Sequence, residues 1–84
     1  MVTDLLIVGS ARKRQIPDED IRHAVDNAND FFDQQGDLEL DMYIGPARDG
    51  SMLEVGVAIA DTGQMVAVHA MKRRDKYIRQ KPGR

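Results

Sequence analysis

The sequence has no cysteine and no tryptophan, and its only aromatic side chains are two phenylalanines and two tyrosines. Without cysteine the chain can form no disulfide, thiolate metal site or cysteine nucleophile, which is consistent with a reducing compartment such as the cytoplasm. Long hydrophobic runs are also missing, because the aliphatic stretch at residues 5–8 is far too short for a signal peptide or a membrane span. We therefore expect a cytoplasmic protein that makes no membrane contact.

The sequence also lacks the motifs that identify most cofactor and metal sites. It has no glycine-rich phosphate loop, no histidine pair at metal-ligand spacing and no nucleophile elbow. We therefore expect no cofactor and no metal. Of the two histidines, His23 lies off the apolar stripe of a predicted helix and fits a structural or exposed position better than a catalytic one. That leaves His69 as the candidate.

Positive charge is concentrated near the C-terminus, although the net formal charge is −2. Acidic residues dominate residues 18–41, and a basic block begins with Lys72, Arg73 and Arg74. Such a block can contact nucleic acid or another anion, or it can be a solvated tail that binds nothing. Both interpretations stay open, and a local phosphate site is compatible with the low overall charge.

The first half of the chain predicts one short strand and two helices. The run from Asp4 to Val8 indicates a buried strand, and Ser10 can cap a short helix over Ala11–Gln15. Pro17 can open a longer helix, with acidic residues in its first turn where the helix dipole favours them. Gly36 is the predicted cap at its end. The apolar residues at helical spacing, which should face the sheet, are Ile21, Ala24, Val25, Ala28, Phe31 and Phe32.

The second half predicts three antiparallel strands. Apolar and polar residues alternate over residues 38–44, 52–60 and 65–71, a period of two that is typical of half-buried strands. Turn chemistry separates them at Asp49-Gly50 and Asp61-Thr62-Gly63. We expect an α+β domain over residues 1–79, with two helices packed on one face of an antiparallel sheet, and a disordered basic tail over residues 80–84.

The alternation also predicts which residues share a face of the sheet. Matching the aliphatic sides of the last two strands places His69 opposite or next to Gly56, with Glu54 on the same face. The preceding hairpin should add Tyr43 to that face, and Gly56 should leave an open space beside the histidine. The cations expected nearby are Arg48, Arg73, Arg74 and Lys76.

These residues have the chemistry needed to cleave RNA without a metal. Attack by the 2′-hydroxyl needs a base, an acid for the leaving 5′ oxygen, and cations that stabilise the phosphorane charge. Histidine, glutamate or tyrosine can move the protons, and arginine binds phosphate through two hydrogen bonds. The alternative is structural: His69 is a partly buried sheet histidine paired with Glu54, and the arginines are a solvated tail. Composition and spacing alone favour this alternative.

Three stretches of the sequence resemble small bacterial toxins of the BrnT/RelE-like group. They are residues 21–24 (IRHA), residues 44–55 (IGPARDGSMLEV), and residues 68–71 (VHAM) with Arg74, Lys76 and Tyr77. The resemblance spans roughly residues 10–79. It implies a RelE-like α+β fold and a type II toxin–antitoxin pair. In such pairs the toxin cleaves mRNA, with or without the ribosome, and is held inactive by an antitoxin encoded beside it.

By position, the resemblance and the register together imply the following roles. The expected catalytic residues are His69, Glu54 and Arg74. The expected substrate-binding residues are Arg48, Tyr43, Arg73, Lys76 and Tyr77, of which Tyr77 would stack on a base or pack beneath the site. Two other functions stay open. One is a non-catalytic module that binds a protein partner through the open sheet face, and the other is a nucleic-acid-binding accessory that uses only the basic tail.

Overall fold

The computed structural model describes residues 5–35 and 40–77. In order, its elements are β1 (Leu6–Ile7), a first 3-10 turn (Gly9–Arg12), α1 (Asp18–Asp26), β2 (Asp30–Gln35), β3 (Leu40–Pro46), β4 (Met52–Ile59), β5 (Met65–Lys72) and a second 3-10 turn (Asp75–Tyr77). Within these residues no helix has the length and apolar character that crossing a bilayer requires.

The five strands form one mixed sheet in the order β1-β5-β4-β3-β2. Strands β2 to β5 are antiparallel neighbours, whereas β1 joins the outer edge of β5 in parallel, with Leu6 opposite Val66. The turns before β4 and before β5 contain Gly50 and Gly63, both at positive φ, where glycine carries no steric cost. The three strands predicted in the second half of the chain are therefore present.

The prediction of two helices on one face of an antiparallel sheet is wrong, because the sheet is mixed and the described residues contain a single α-helix. The predicted long helix ends at Asp26, and its last two apolar residues, Phe31 and Phe32, belong to β2. Asn27 leaves the helical region at φ −115°, and it opens the sequence NAND, whose Asn and Asp side chains favour turns over helix. Aromatic residues also fit a pleated sheet well.

The N-terminal segment differs from its prediction as well. The expected helix Ala11–Gln15 is a 3-10 turn over Gly9–Arg12. Gln15 has a φ of 62°, and a residue in this left-handed region cannot continue a right-handed helix. The predicted cap Gly36, strand residue Leu38 and tail 80–84 lie outside the described residues.

Helix α1 packs closely against one face of the sheet. Gly45 of β3 permits this approach, because a Cβ there would lie only 2.9 Å from Cα of Ala28, just beyond the end of the helix. The core on this side is aliphatic throughout: Leu5, Ile7, Ala11, Ile21, Ala24, Val25, Ala47, Leu53, Val55, Val57, Ala67 and Ala70. We call this side of the sheet the helix face.

The opposite face is partly covered by the end of the described chain. Tyr77 is buried there in a small cluster with Met42 and Ile44, and Phe32 and Met52 pack against its border. Strand β3 therefore buries side chains on both faces. The face that was expected to be open is closed near β3, and it is the face that carries His69.

The predicted register around the histidine is confirmed, since Gly56 pairs with His69 and Val55 with Ala70. The predicted register fails one residue earlier on β5. A bulge there leaves Val68 out of the pairing between β4 and β5, so Val57 pairs with Ala67. A bulge of this kind re-aims the side chains on either side of it. The alternation of faces is consequently interrupted immediately before His69.

Candidate functional site

A single buried carboxylate lies at the centre of the candidate site. Glu54 is 0 % exposed and is the one fully buried charged residue in the described part of the chain. It lies in the middle of the sheet, between Ile44 of β3 and Met71 of β5, on the face opposite the helix. An ionised side chain in such a place needs partners that replace its lost water.

Arg74 is the main partner of this carboxylate. Its Nη2 lies 2.6 Å and its Nε 3.0 Å from Oε2 of Glu54, and its backbone N–H donates to Oε1 at 2.8 Å. The chain can reach back in this way because Arg73 N still bonds to Met52 O at 3.1 Å, holding the segment beside β4 after β5 has ended. Arg74 keeps a side-chain exposure of 45 %, so its guanidinium is held at the protein surface.

His69 is the second partner. Its Nε2 lies 2.9 Å from Oε2 of Glu54, and its side chain is 27 % exposed. An ionised carboxylate only accepts hydrogen bonds, so Nε2 carries the hydrogen and donates it. In the neutral ring Nδ1 is then the unprotonated nitrogen, and no other described residue forms a hydrogen bond with it.

The electrostatics keep Glu54 ionised. Burial raises the pKa of Glu54, but the hydrogen bonds from Arg74 and then His69 outweigh burial and bring the pKa below its usual value. The hydrogen bond from Arg74 to Glu54 in turn raises the pKa of Arg74. Glu54 therefore acts as a fixed negative charge that holds a guanidinium and an imidazole in place, and its burial leaves no surface for contact with a substrate.

Tyr77 packs against the inner side of Arg74 and helps to fix its position. It is 3 % exposed, its ring contacts Phe32 edge-on with centroids 5.1 Å apart, and Arg74 lies over it with Cζ 5.8 Å from the ring centroid. A cation over an aromatic face is held by the negative charge of that face. Of the two roles predicted for Tyr77, the structure shows the packing beneath the site.

Two expectations about the neighbours of His69 are wrong. Tyr43 pairs with Val55 and packs against the helix-face core, so it lies on the opposite side of the sheet from His69. The open space expected at Gly56 is filled, because a Cβ there would lie 3.1 Å from both Leu40 Cδ1 and His69 Cβ. Gly56 allows these two side chains to meet and leaves no pocket.

The other predicted site residues lie around one end of the sheet. Arg48, in the β3–β4 turn, donates from Nε to Asp20 Oδ1 at 2.6 Å and keeps 54 % of its side chain exposed. Arg73 directly follows β5 and is half-buried, and Lys76 lies in the second 3-10 turn with its side chain outside the described part of the structure. No sequence signal pointed to Asp20 as a partner of Arg48, because 28 positions separate the two residues.

His23 has a structural contact, as predicted. Its Nδ1 lies 2.8 Å from the carbonyl oxygen of Pro46, which ties α1 to the end of β3. Among the described residues, no group of three His, Asp or Glu side chains is arranged to hold a metal ion. A shallow cleft lined by Val25, Phe31 and Tyr43 lies on the helix face, away from His69.

Comparison with known proteins returns no match for this chain among protein families, curated proteins or solved structures. The resemblance to ribonuclease toxins therefore stays a prediction that rests on motif residues. The hydrogen bonds of His69 and Arg74 to Glu54 are an observation that does not depend on this resemblance.

Proposed function

We propose that this protein is a metal-independent endoribonuclease of the toxin class that its sequence resembles, acting in the cytoplasm on mRNA and restrained by an antitoxin encoded beside it. The observation that carries the proposal is the partly exposed imidazole of His69 held by the buried carboxylate of Glu54, with the guanidinium of Arg74 on the same carboxylate. The motif stretches that resemble toxins supply all three residues.

In this proposal His69 is the proton carrier. Nδ1 takes the proton from a 2′-hydroxyl, the 2′ oxygen attacks phosphorus, and the bond to the 5′ oxygen breaks. The imidazolium then gives its proton to the leaving oxygen, which produces a 2′,3′-cyclic phosphate and a 5′-hydroxyl end. Glu54 is a positioning residue that fixes the tautomer and stabilises the imidazolium, as an ionised carboxylate does in other histidine-based sites.

Cations provide the second requirement, stabilisation of charge on the phosphorane. Arg74 is held in a fixed orientation by Glu54 and Tyr77, with its side chain 45 % exposed, so it can bind a phosphate oxygen without reorganising. Arg48 and Arg73 lie at the same end of the sheet and suit the flanking phosphates of a bound strand. Tyr43 has no part in this version of the site.

A second candidate function is a non-catalytic module that binds a protein partner through the part of the sheet face left open by Tyr77. The observation that favours it is Leu6, which is 52 % exposed and pairs with Val66, itself opposite Ala58. These residues continue the face of Glu54 as an uncharged apolar surface. In this function His69 is structural, and its replacement leaves partner binding unchanged.

Induced expression in a bacterial host, with matched histidine variants, tests the proposal. We expect the wild type and His23→Gln to arrest growth and His69→Gln to relieve the arrest, because glutamine can still donate to Glu54 but cannot carry a proton. Soluble protein levels must be equal in the three cultures. Absence of arrest by the wild type, or continued arrest by His69→Gln, would remove the support for an active toxin.

A further inference from the structure

The helix face carries a cleft that the proposed ribonuclease chemistry does not use. It has a volume of about 560 Å³ and lies between the end of α1 and strands β2 and β3. Its lining residues are Val25, Ala28, Asn29, Asp30, Phe31 and Tyr43. Phe31 remains 44 % exposed, although it is a large apolar side chain. A concave surface with apolar and aromatic walls and a few polar groups is suited to binding a side chain of another molecule.

The walls of the cleft are an aromatic pair that the register of the sheet holds in place. Phe31 of β2 lies opposite Tyr43 of β3, and their rings meet edge-on with centroids 5.1 Å apart. Tyr43 also packs against the helix-face core, so this wall is anchored to the folded interior. Because β2 is the outermost strand on this side of the sheet, the cleft opens at the sheet edge, where an extended chain can lie beside it.

Two aspartates continue the same face beyond the aromatic pair. Asp41 precedes Tyr43 by two residues on β3, and Asp33 of β2 shares a side-chain hydrogen bond with Asp41. This hydrogen bond, then burial, then the charge of Asp41 raise the pKa of Asp33. Like charges opposite each other on neighbouring strands destabilise a sheet, so a cation bound between them is favourable. We call the cleft together with Asp33 and Asp41 the acidic cleft.

Negative charge dominates the surroundings of the acidic cleft. Between His23 and Arg48 the sequence has six acidic residues and no lysine, arginine or histidine. Strand β4, the neighbour of β3, contains no basic residue either. The two basic side chains of α1 are directed to other groups: Arg22 donates to the carbonyl oxygen of Leu5 at 2.6 Å, and His23 contacts that of Pro46. The charge complement of this surface is therefore a cation.

We propose that the acidic cleft docks a basic, extended segment of a protein partner. An apolar side chain of the segment packs against Phe31, and an arginine or lysine two positions along contacts Asp33 and Asp41. In an extended chain, side chains two residues apart point to the same side and lie about 7 Å apart, which is also the spacing of successive residues on one face of β2. The same negative charge repels nucleic acid, an anionic membrane and the acidic cleft of a second copy.

The acidic cleft and His69 lie on opposite faces of the sheet. Tyr43 packs with the helix-face core, whereas His69 bonds to Glu54 on the other side. A segment docked in the acidic cleft therefore leaves His69 accessible to RNA. Docking here is a contact that the proposed function does not require, and it can be tested whether or not the protein cleaves RNA.

Binding of a defined peptide to the purified protein tests the docking site. The probe is a fluorescein-labelled 12-residue peptide of glycine and serine that carries two leucine-serine-arginine units. The control peptide has glutamate in place of arginine. Fluorescence anisotropy gives Kd, and two-dimensional amide NMR shows which residues respond. We expect the arginine peptide alone to bind, with amide shifts concentrated at residues 25–33 and 41–43.

Matched variants separate the acidic cleft from general electrostatic attraction. Asp33→Asn/Asp41→Asn should weaken peptide binding by at least about 10-fold, because charge-assisted hydrogen bonds to the arginine are lost. This variant should stay folded, since it removes a pair of like charges. Glu19→Gln/Asp61→Asn makes the same change of net charge at exposed residues outside the cleft and should leave Kd within about twofold of the wild-type value. His69→Gln should also leave Kd unchanged.

Three results would overturn the docking site: no amide shifts at the cleft residues, equal weakening by the two double variants, or equal binding of the glutamate peptide. Self-association of the wild type that Asp33→Asn/Asp41→Asn abolishes would also overturn it, because the occupant would then be a second copy. Failure of the proposed function gives a different result, namely RNA that stays uncut while the arginine peptide still binds.

Discussion

Oε2 of Glu54, which no solvent reaches, lies 2.9 Å from Nε2 of His69, a side chain that is 27 % exposed. The same oxygen accepts the guanidinium of Arg74 at 2.6 Å, so one buried charge orients two groups at the surface. Replacing His69 or Arg74 removes one of these surface groups, whereas replacing Glu54 releases both of them. Stability and its dependence on pH should therefore both respond to changes in this cluster.

Arg74→Ala should destabilise the protein strongly, because Glu54 would then be a buried charge that keeps only His69 as a described side-chain partner. Breaking a buried ion pair costs roughly 3–5 kcal/mol, and the exposure of Arg74 places this case at about 2–3 kcal/mol. Urea denaturation measures the loss. Arg48→Ala is the control, because its partner Asp20 is at the surface and its loss should cost much less. Equal losses in the two variants would contradict the role of Glu54.

The stability of the wild type should fall with acid in a way that depends on Glu54. Its pKa is lowered in the folded state, so its contribution is fully present above the unfolded value of about 4.3 and is lost as the pH falls through the lower folded value. Glu54→Gln should therefore reduce the slope of the unfolding free energy against pH below about pH 5. Asp18→Asn is the surface comparison: the pKa of Asp18 is also lowered, chiefly by Arg12, so this variant should reduce the slope as well, but by less, because the ion pair of Asp18 is at the surface and is screened by solvent. An unchanged slope in Glu54→Gln would show that Glu54 does not contribute.

Gly45→Ala should disrupt the packing of α1 on the sheet. A Cβ at this position would lie 2.9 Å from Cα of Ala28, and backbone atoms cannot move aside as the end of a flexible side chain can. We expect a loss of about 3 kcal/mol or more. Gly9→Ala is the matched control, because a Cβ there meets nothing within 4 Å. Thermal unfolding of both variants measures the difference, and equal melting temperatures would contradict the close approach.

Tyr77→Ala should show that the chain after β5 belongs to the folded core. Tyr77 is 3 % exposed and Phe31 is 44 % exposed, so the two aromatic residues make a direct comparison. Replacing a buried aromatic ring with alanine costs about 3–5 kcal/mol, whereas Phe31→Ala should cost well under half of that. Chemical denaturation gives both values. A larger loss for Phe31→Ala than for Tyr77→Ala would mean that the second 3-10 turn does not cover the sheet.

The pairing of Gly56 with His69 could be predicted from the sequence by matching the aliphatic sides of the two strands, although the bulge at Val68 changes the pairings between His69 and the turn. The same reasoning placed Tyr43 on the wrong face. It assumed that the apolar side of β3 faces the helix, whereas Met42 and Ile44 face Tyr77 on the other side. The alternation separates the two faces of β3, but it does not show which of them meets the helix, because packed side chains lie on both.

The binding of Arg74 to Glu54 could not be predicted from periodicity, since it depends on how the chain turns after β5 has ended. The end of α1 was missed for a related reason. Phe31 and Phe32 continue the helical spacing, and only the turn-forming run at residues 27–30 and their pairing with β3 decide that they form a strand. In the first case a tertiary contact selects the structure, and in the second the pairing with β3 acts together with a local preference for a turn.

Cleavage of a labelled RNA by the purified protein in EDTA tests the central claim most directly. We expect the wild type and His23→Gln to produce fragments that end in a 2′,3′-cyclic phosphate, and His69→Gln to lose activity by at least about 100-fold, the usual contribution of a general base. The same RNA with a 2′-deoxy substitution at the cleavage site should stay intact. Cleavage that persists in His69→Gln, or fragments with a 3′-hydroxyl end, would contradict the role of His69 as the proton carrier.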